Sequence, residues 1–225
     1  GKNMERDVNF IRTDIQLGEA IRTLKFLKLN KIDENEFEPS GIWTFCGGQG
    51  QGKTLSAVKC VLDLHKVYPK AKIVSNIHLM SVPYEPFTRY EQIKQTTNGT
   101  YGVIFLIDEI HSLYNSLESK NIPLGEMTCF CQNRKDRRVI VATSQKYKRI
   151  AKPIREQFKY VIDCRKMLRI VQYNTIYDAF EFDENGDPTE DCKAMKNLFI
   201  HSIKDYTVYN SHEKVERFSE RRVKA

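Results

Sequence analysis

The sequence predicts an α/β fold, a three-layer sandwich around a mostly parallel sheet with a small β-rich C-terminal extension. Three observations carry that prediction. Short apolar runs alternate with helix-length segments between residues 42 and 164. A glycine-rich turn at residues 47–54, GGQGQGKT, joins one such run to a helix. A third run, VIFLI at residues 103–107, ends in the acidic pair Asp108-Glu109. Strands that are apolar on both faces belong to parallel sheets covered on each side by helices.

The elements follow in order. In residues 1–40, Ile11, Ile15, Ala20, Ile21, Leu24 and Leu27 recur at near-helical spacing, with Asp14 placed to cap. An N-terminal helical extension is expected there, for packing or subunit contact. Residues 42–46 read as the first strand and 53–67 as a helix ending near Pro69. Residues 72–75 read as the second strand, 83–100 as turn-rich and partly helical, and 103–107 as the third strand. A helix is expected over 123–135, with Pro123 in its first turn. A fourth strand is expected over 139–143, a short helix over 150–157 and a fifth strand over 158–164. These elements form a core over 41–166. Residues 167–225 read as a β-rich part of the same domain plus a charged tail. Within them 168–182 is β-rich, Asn185-Gly186 suits a hairpin turn, and 207–210 suits a last strand.

Composition sets bounds on function. With 225 residues, 40% of them hydrophobic, the chain can build one α/β domain with a small appendage. Its formal charge of +7 suits a polyanionic partner, although an ordinary soluble surface has the same look. No apolar run approaches the roughly 18 residues of a membrane span, and no signal peptide is visible. The six cysteines include no C-x2-C pair, and Cys129 and Cys131 have no histidine at zinc spacing. They read as reduced thiols of a cytoplasmic protein rather than as a metal site.

The chemistry is concentrated at residues 47–54. Gly47, Gly48, Gln49, Gly50, Gln51, Gly52, Lys53 and Thr54 match G-x4-G-K-[ST] in full, after a strand and before a helix. The glycines let backbone N–H groups point inward at phosphate, and the helix adds its positive end. Lys53 is expected on the β- and γ-phosphates and Thr54 on Mg²⁺, with Leu55 next in the nucleotide-binding set. This motif predicts a P-loop NTPase, with ATP and Mg²⁺ as the expected cofactors, and the RecA/ASCE type is expected from the acid and sensor residues that follow.

Asp108 emerges at the carboxyl end of a buried strand, the edge at which open parallel sheets bind ligands. It is expected to hold Mg²⁺, and Glu109 to polarise the attacking water. The strand 139–143 runs on into Ser144 and Gln145. In ATPases with a catalytic Glu it lies between the phosphate-loop strand and the acidic strand, so Gln145 is the expected sensor. Ahead of it, Arg134, Lys135, Arg137 and Arg138 form either a solvated basic turn or the source of an arginine that reaches a neighbouring subunit's nucleotide. Lys146, Lys148, Arg149, Lys152, Arg155 and Lys159, interleaved with Tyr147 and Phe158, read equally as a phosphate-backbone contact or a plain charged surface. His111 completes a literal D-E-x-H string. The helicases that use that string need two recombinase-like domains and this chain has room for one, so His111 reads as incidental.

Taken together, these residues resemble the zonular occludens toxin (Zot) family, which includes the filamentous-phage gene I assembly ATPases and itself resembles the FtsK–HerA DNA pumps. The resemblance covers roughly residues 41–212. Beyond the phosphate loop it rests on Ser75-Asn76, on residues 107–111 and 132–135, on Thr143-Ser144-Gln145, on Ile154-Arg155 and on residues 209–212. It implies that Arg134 takes the family's arginine and Gln145 its polar sensor. It further implies ATP-driven movement of phage DNA during virion assembly or extrusion, by a homo-oligomeric ring, expected to be hexameric, with phage or membrane assembly proteins as further partners. Family members carry a membrane span after the ATPase domain. None is present here, so a truncated cytoplasmic domain or a soluble relative is expected, with membrane association only through a partner or a missing C-terminal segment. Nothing in the sequence supports host-cell toxin activity.

The expected function is therefore an ATP-hydrolysing motor for phage or plasmid DNA. The alternative is a P-loop ATPase powering protein secretion or assembly without DNA contact. A nucleotide-regulated binding module with little turnover has no use for Glu109.

Overall fold

The computed structural model describes residues 32–119, 134–150 and 152–214. The elements are β1 (Gly41–Cys46), α1 (Lys53–Val67), β2 (Lys72–Ser75), β3 (Ile77–Leu79), β4 (Glu85–Pro86), α2 (Gln92–Gln95), β5 (Val103–Ile107), α3 (His111–Ser119), β6 (Arg138–Ser144), α4 (Lys152–Arg155), β7 (Phe158–Met167), β8 (Val171–Asp178), β9 (Met195–Ile200) and β10 (Tyr209–Lys214). One eight-stranded sheet runs in the order β4-β2-β5-β6-β1-β7-β8-β9.

The first six strands of that order pair in parallel. β6 sits between β1 and β5, with Thr44 opposite Ala142 and Leu106 opposite Val141. The phosphate-loop strand and the acidic strand thus flank the strand leading to Gln145, the order expected of a P-loop NTPase with a catalytic acid. This is the α/β P-loop NTPase fold.

Strand alternation accounts for the uniformly apolar runs, because successive side chains enter opposite layers. In β5, Ile104 and Leu106 pack into one core with Ala57, Val58, Val61 and Leu64 of α1, Trp43 and Phe45 of β1, and Val139 and Val141 of β6. Val103, Phe105 and Ile107 pack into the other with Ile42, Ile140, Ala142, Phe158 and α3's Leu113 and Tyr114. A polar residue at any position of β5 would therefore face a buried layer. Each fully buried Leu, Ile or Phe contributes about 1.5–3 kcal/mol. The Trp43 indole N–H donates to the Ser40 carbonyl at 3.0 Å, so the largest buried ring leaves no orphaned donor.

The C-terminal segment differs from expectation in detail. β7 runs on to Met167, and β8 and β9 continue the same sheet as antiparallel strands. Leu168 (φ 47°) and Arg169 (φ 63°) turn that hairpin in the left-handed region, without the glycine or asparagine that would have announced it. β10 forms a separate two-stranded sheet with β3. Around Asn185-Gly186 a single bridge, Phe182 to Pro188, replaces a two-stranded hairpin. The short helix expected over 150–157 is confined to Lys152–Arg155. Residues 123–133 of another expected helix lie outside the described residues, and Arg134–Asp136 form a 3-10 turn. The expected N-terminal helix, Cys129 and Cys131 also lie outside them. Cys46, Cys60, Cys164 and Cys192 are free thiols. Burial, with the nearby Asp163 charge, pushes Cys46 up to about 12, so it is an inert packing group. Among the described residues no helix is long and apolar enough to cross a membrane.

Candidate nucleotide-binding site

The glycine-rich turn is anchored at its start. β1 ends at Cys46, and the Gly47 N–H donates to the Gln145 carbonyl at 2.8 Å, tying the loop to the end of β6. Gly50 and Gly52 hold φ of 77° and 79°, where a side chain is strained. At Gly52 a Cβ would also overlap the Gln172 side-chain oxygen.

α1 begins directly after Gly52, with no side-chain cap and no acid in its first turn. Its first i→i−4 bond is from the Ser56 N–H to the Gly52 carbonyl, 2.9 Å. The N–H groups of Lys53, Thr54 and Leu55 therefore have no acceptor within the helix, and they carry its positive end. Leu55 itself is buried, so what it offers is backbone. This loop and helix end together present N–H groups in an arrangement suited to cradle an anion.

The acidic pair faces this cradle across the carboxyl edge of the sheet. The Thr54 hydroxyl lies 3.5 Å from Asp108 Oδ1. The Thr143 hydroxyl donates to the same oxygen at 2.6 Å and accepts the Glu109 N–H at 2.9 Å. Asn76 clamps the Asp108 backbone from the other side: its Oδ1 accepts the Asp108 N–H at 2.7 Å, and its Nδ2 donates to the Asp108 carbonyl at 3.1 Å. Glu109 has a φ of 55°, rare for a non-glycine residue, and the Ile110 N–H bond to the Thr143 carbonyl (3.0 Å) fixes the turn. Burial and then the Asp108 charge raise the Tyr209 phenol above its ordinary value, which puts β10 within electrostatic reach of the acidic pair.

Of the residues singled out in the sequence, the fold brings together Gly47, Gly48, Gln49, Gly50, Gln51, Gly52, Lys53, Thr54, Asp108, Glu109 and Gln145. Gln145 is exposed, one residue past β6. Arg134 is not with them. Its backbone precedes β6, and the strand's seven residues span roughly 20 Å. His111 opens α3 and is exposed. Asn76 and Thr143 entered the sequence reading only through the resemblance, with no role assigned, and Gln172 did not enter it. Asn76 follows β2 and Thr143 lies in β6, the two strands beside β5, so the strand order would have identified both.

The second basic stretch is not an open stacking platform. Lys148 pairs with Asp187 at 2.5 Å and Lys152 with Glu184 at 3.3 Å. Arg155 donates to the Glu184 carbonyl at 2.9 Å and stacks over Tyr147. Tyr147 and Phe158, the interleaved aromatics, are buried. The acidic loop 183–187 thus neutralises part of this stretch locally.

No protein-family model matches the chain, and no curated protein matches it. Among solved structures it is similar to the N-terminal domain of zonular occludens toxin from Neisseria meningitidis, with 14% identity over 76% of this chain and 100% of that one, TM-score 0.49. It is also similar to the genome packaging NTPase B204 of Sulfolobus turreted icosahedral virus 2 in complex with sulfate, with 15% identity over 72% and 99%, TM-score 0.45. The DNA-packaging ATPase B204 of Sulfolobus turreted icosahedral virus has 12% identity over 72% and 100%, TM-score 0.45.

Proposed function

We propose that this chain is a Mg²⁺-dependent ATPase, and that it works as an oligomeric motor moving DNA during virus assembly or extrusion. The ATPase reading rests on one observation above all. The uncapped start of α1 faces Asp108 and Glu109, and Thr54, Asp108 and Thr143 share one hydrogen-bonded cluster between them.

In this reading the N–H groups of the loop and of α1's first turn cradle the phosphates, and Lys53 neutralises β- and γ-phosphate charge. The Thr54 hydroxyl and the Asp108 carboxylate make an all-oxygen pair suited to Mg²⁺, which when bound supplies further charge neutralisation. Glu109 orients and polarises the attacking water, aimed by its left-handed backbone and the Thr143 oxygen. Gln145 contacts the γ-phosphate or that water.

The motor reading rests on the resemblance of the sequence to the Zot family and on the +7 formal charge. It implies a homo-oligomeric ring, hexameric by the same resemblance, working in the host cytoplasm, with DNA as the moved partner. The test is the ATPase rate with and without single- and double-stranded DNA, alongside the solution mass with a non-hydrolysable ATP analogue. DNA-stimulated hydrolysis by a nucleotide-assembled ring is the expected result. Hydrolysis indifferent to both DNAs, with no salt-dependent DNA binding, would favour a protein-directed ATPase instead.

A further inference from the structure

Behind the phosphate loop runs a buried polar chain for which the nucleotide reading has no use. Gln172 of β8 is fully buried, and its Nε2 donates to the Gln51 carbonyl at 2.9 Å and to Asn174 Oδ1 at 2.8 Å. Asn174 Nδ2 in turn donates to Ser56 Oγ on α1 at 3.0 Å. On the other side Gln172 Oε1 lies 3.0 Å from His201 Nε2, and His201 Nδ1 lies 2.7 Å from the Tyr206 hydroxyl. The loop is also held from β7, where the Lys166 N–H donates to Gln51 Oε1 at 2.9 Å.

The direction of this chain follows from one group. A backbone carbonyl can only accept, so the Gln172 atom facing the Gln51 carbonyl is its nitrogen, and its oxygen must face His201. A neutral His201 then carries its proton on Nε2 and accepts the Tyr206 hydroxyl at Nδ1. Gly52 completes the fit, since a Cβ there would overlap Gln172 Oε1. A side chain at the second glycine of the phosphate motif would therefore displace Gln172 as well as strain the backbone angle.

We infer that Gln172, oriented by His201, is a positioning residue for the phosphate loop, holding the Gln51-Gly52 peptide so that the loop's N–H groups stay turned toward phosphate. The β8–β9 extension thereby becomes part of the nucleotide-binding apparatus. Gln172 touches the loop's backbone from behind and has no part in the chemistry. This inference rests on the nucleotide-binding reading above.

Four proteins test it: native, Gln172→Leu, His201→Phe and His201→Gln, with Lys53→Ala as the control for nucleotide binding itself. Each is titrated with ADP and with a non-hydrolysable ATP analogue, and its KM and kcat for ATP are measured. Loss of one loop-ordering hydrogen bond is expected to weaken both nucleotides about tenfold in Gln172→Leu and to raise KM by a similar factor. With Asp108 and Glu109 untouched, kcat is expected to stay within about twofold. His201→Gln, which keeps a donor toward Gln172, should recover part of what His201→Phe loses. If Lys53→Ala binds the analogue as tightly as native protein, the nucleotide reading itself falls. If Lys53→Ala loses binding while a folded Gln172→Leu binds normally, only the positioning role falls. Should Gln172→Leu fail to fold, the native protein still decides. Imidazole 15N shifts at pH 8 are expected to report the Nε2–H tautomer for His201, and an Nδ1–H tautomer would overturn the chain.

Discussion

Thr143 donates its hydroxyl proton to Asp108 at 2.6 Å while the same oxygen accepts the Glu109 N–H at 2.9 Å. One buried oxygen therefore fixes both members of the acidic pair, the carboxylate of the first and the backbone of the second. Thr143→Val keeps the shape and removes both bonds. The variant is expected to lose about 1–3 kcal/mol of stability from the exposed buried partners. Its hydrolysis should fall about 10–100-fold, with analogue binding changed far less. Thr143→Ser should retain most activity. Steady-state ATPase assays beside thermal melts check this, and a fully active valine variant would show that Thr143 does not aim Glu109.

The cradle and the acidic pair are expected to separate under mutation. Lys53→Ala should abolish turnover and weaken ATP binding, with the fold intact. Glu109→Gln should bind ATP and Mg²⁺ yet hydrolyse far more slowly, about 100-fold or more by analogy with other water-positioning residues. Asp108→Ala should mainly impair Mg²⁺-dependent binding. Near-normal hydrolysis by Glu109→Gln would remove Glu109 from the chemistry.

Asn76 makes a different kind of contribution. Its amide satisfies both the N–H and the carbonyl of Asp108, at 2.7 and 3.1 Å, just beyond the end of β5. Asn76→Ala leaves both groups without those partners and is expected to cost about 1–3 kcal/mol. Asn76→Asp should lie between native and alanine, because a carboxylate can accept the N–H but cannot donate to the carbonyl. Denaturant midpoints for the three proteins test the order. An aspartate variant as stable as native would mean that the Asp108 carbonyl does not need this donor.

How far the site was legible follows from where its information resides. The phosphate loop and the acidic pair are contiguous in sequence, and their chemistry is fixed by residue type, so both could be read directly. β5 was legible because all five residues enter buried layers. Asn76, Thr143 and Gln172 act on partners just past β5 or in the phosphate loop that are 32, 34 or 35, and 121 residues away in sequence. No local pattern encodes those partners. The β7–β8 turn was hidden for another reason: Leu168 and Arg169 adopt positive φ against their intrinsic preference, held by the pairing of the strands on either side. The interleaved aromatics left two readings open in sequence. Tyr147 and Phe158 look like a stacking surface in sequence but belong to the second core.

Acid should destabilise the protein in two stages. Burial holds His65 and His201 below the ordinary value of 6.5, helped at His201 by Lys166 and Lys59 and opposed by Asp205. A group whose folded pKa is depressed contributes stability that is fully present above its unfolded pKa and is lost as pH falls through the folded one. The first decline should therefore begin as pH drops below about 6.5, the unperturbed histidine value. Burial pushes Asp205 upward, but the Lys59 hydrogen bond and those from Ser202 outweigh it and hold the carboxyl below 3.8, so its share is lost only below that pH. Thermal melts between pH 8 and pH 3 check both stages. His201→Phe should flatten part of the first, and a melting temperature independent of pH between 7 and 5 would contradict the histidine contribution.

The last prediction is that the active site is completed between subunits. Asp108, Glu109 and Gln145 share the carboxyl edge of the sheet, while the 3-10 turn holding Arg134 sits at the opposite end of β6. Seven residues of strand separate the two ends by roughly 20 Å. An arginine side chain cannot cover that distance to its own γ-phosphate, but in a ring it can meet a neighbour's. Arg138 is buried, donating to the carbonyls of Asp136, Lys94 and Thr96. Arg137 donates to the Thr100 carbonyl and Arg155 to the Glu184 carbonyl. Arg134→Ala is expected to bind ATP normally and to hydrolyse it poorly, by a factor of about 10³ if the residue is a full arginine finger. Mixing it with Glu109→Gln subunits should restore part of the activity, because some interfaces would then join an intact Glu109 to an intact Arg134. A mixture that stays inactive although hetero-oligomers form, or an Arg134→Ala protein with full activity, would sink the shared site. Arg137, Arg138 and Arg155 are the next candidates, and of the three Arg138 is buried.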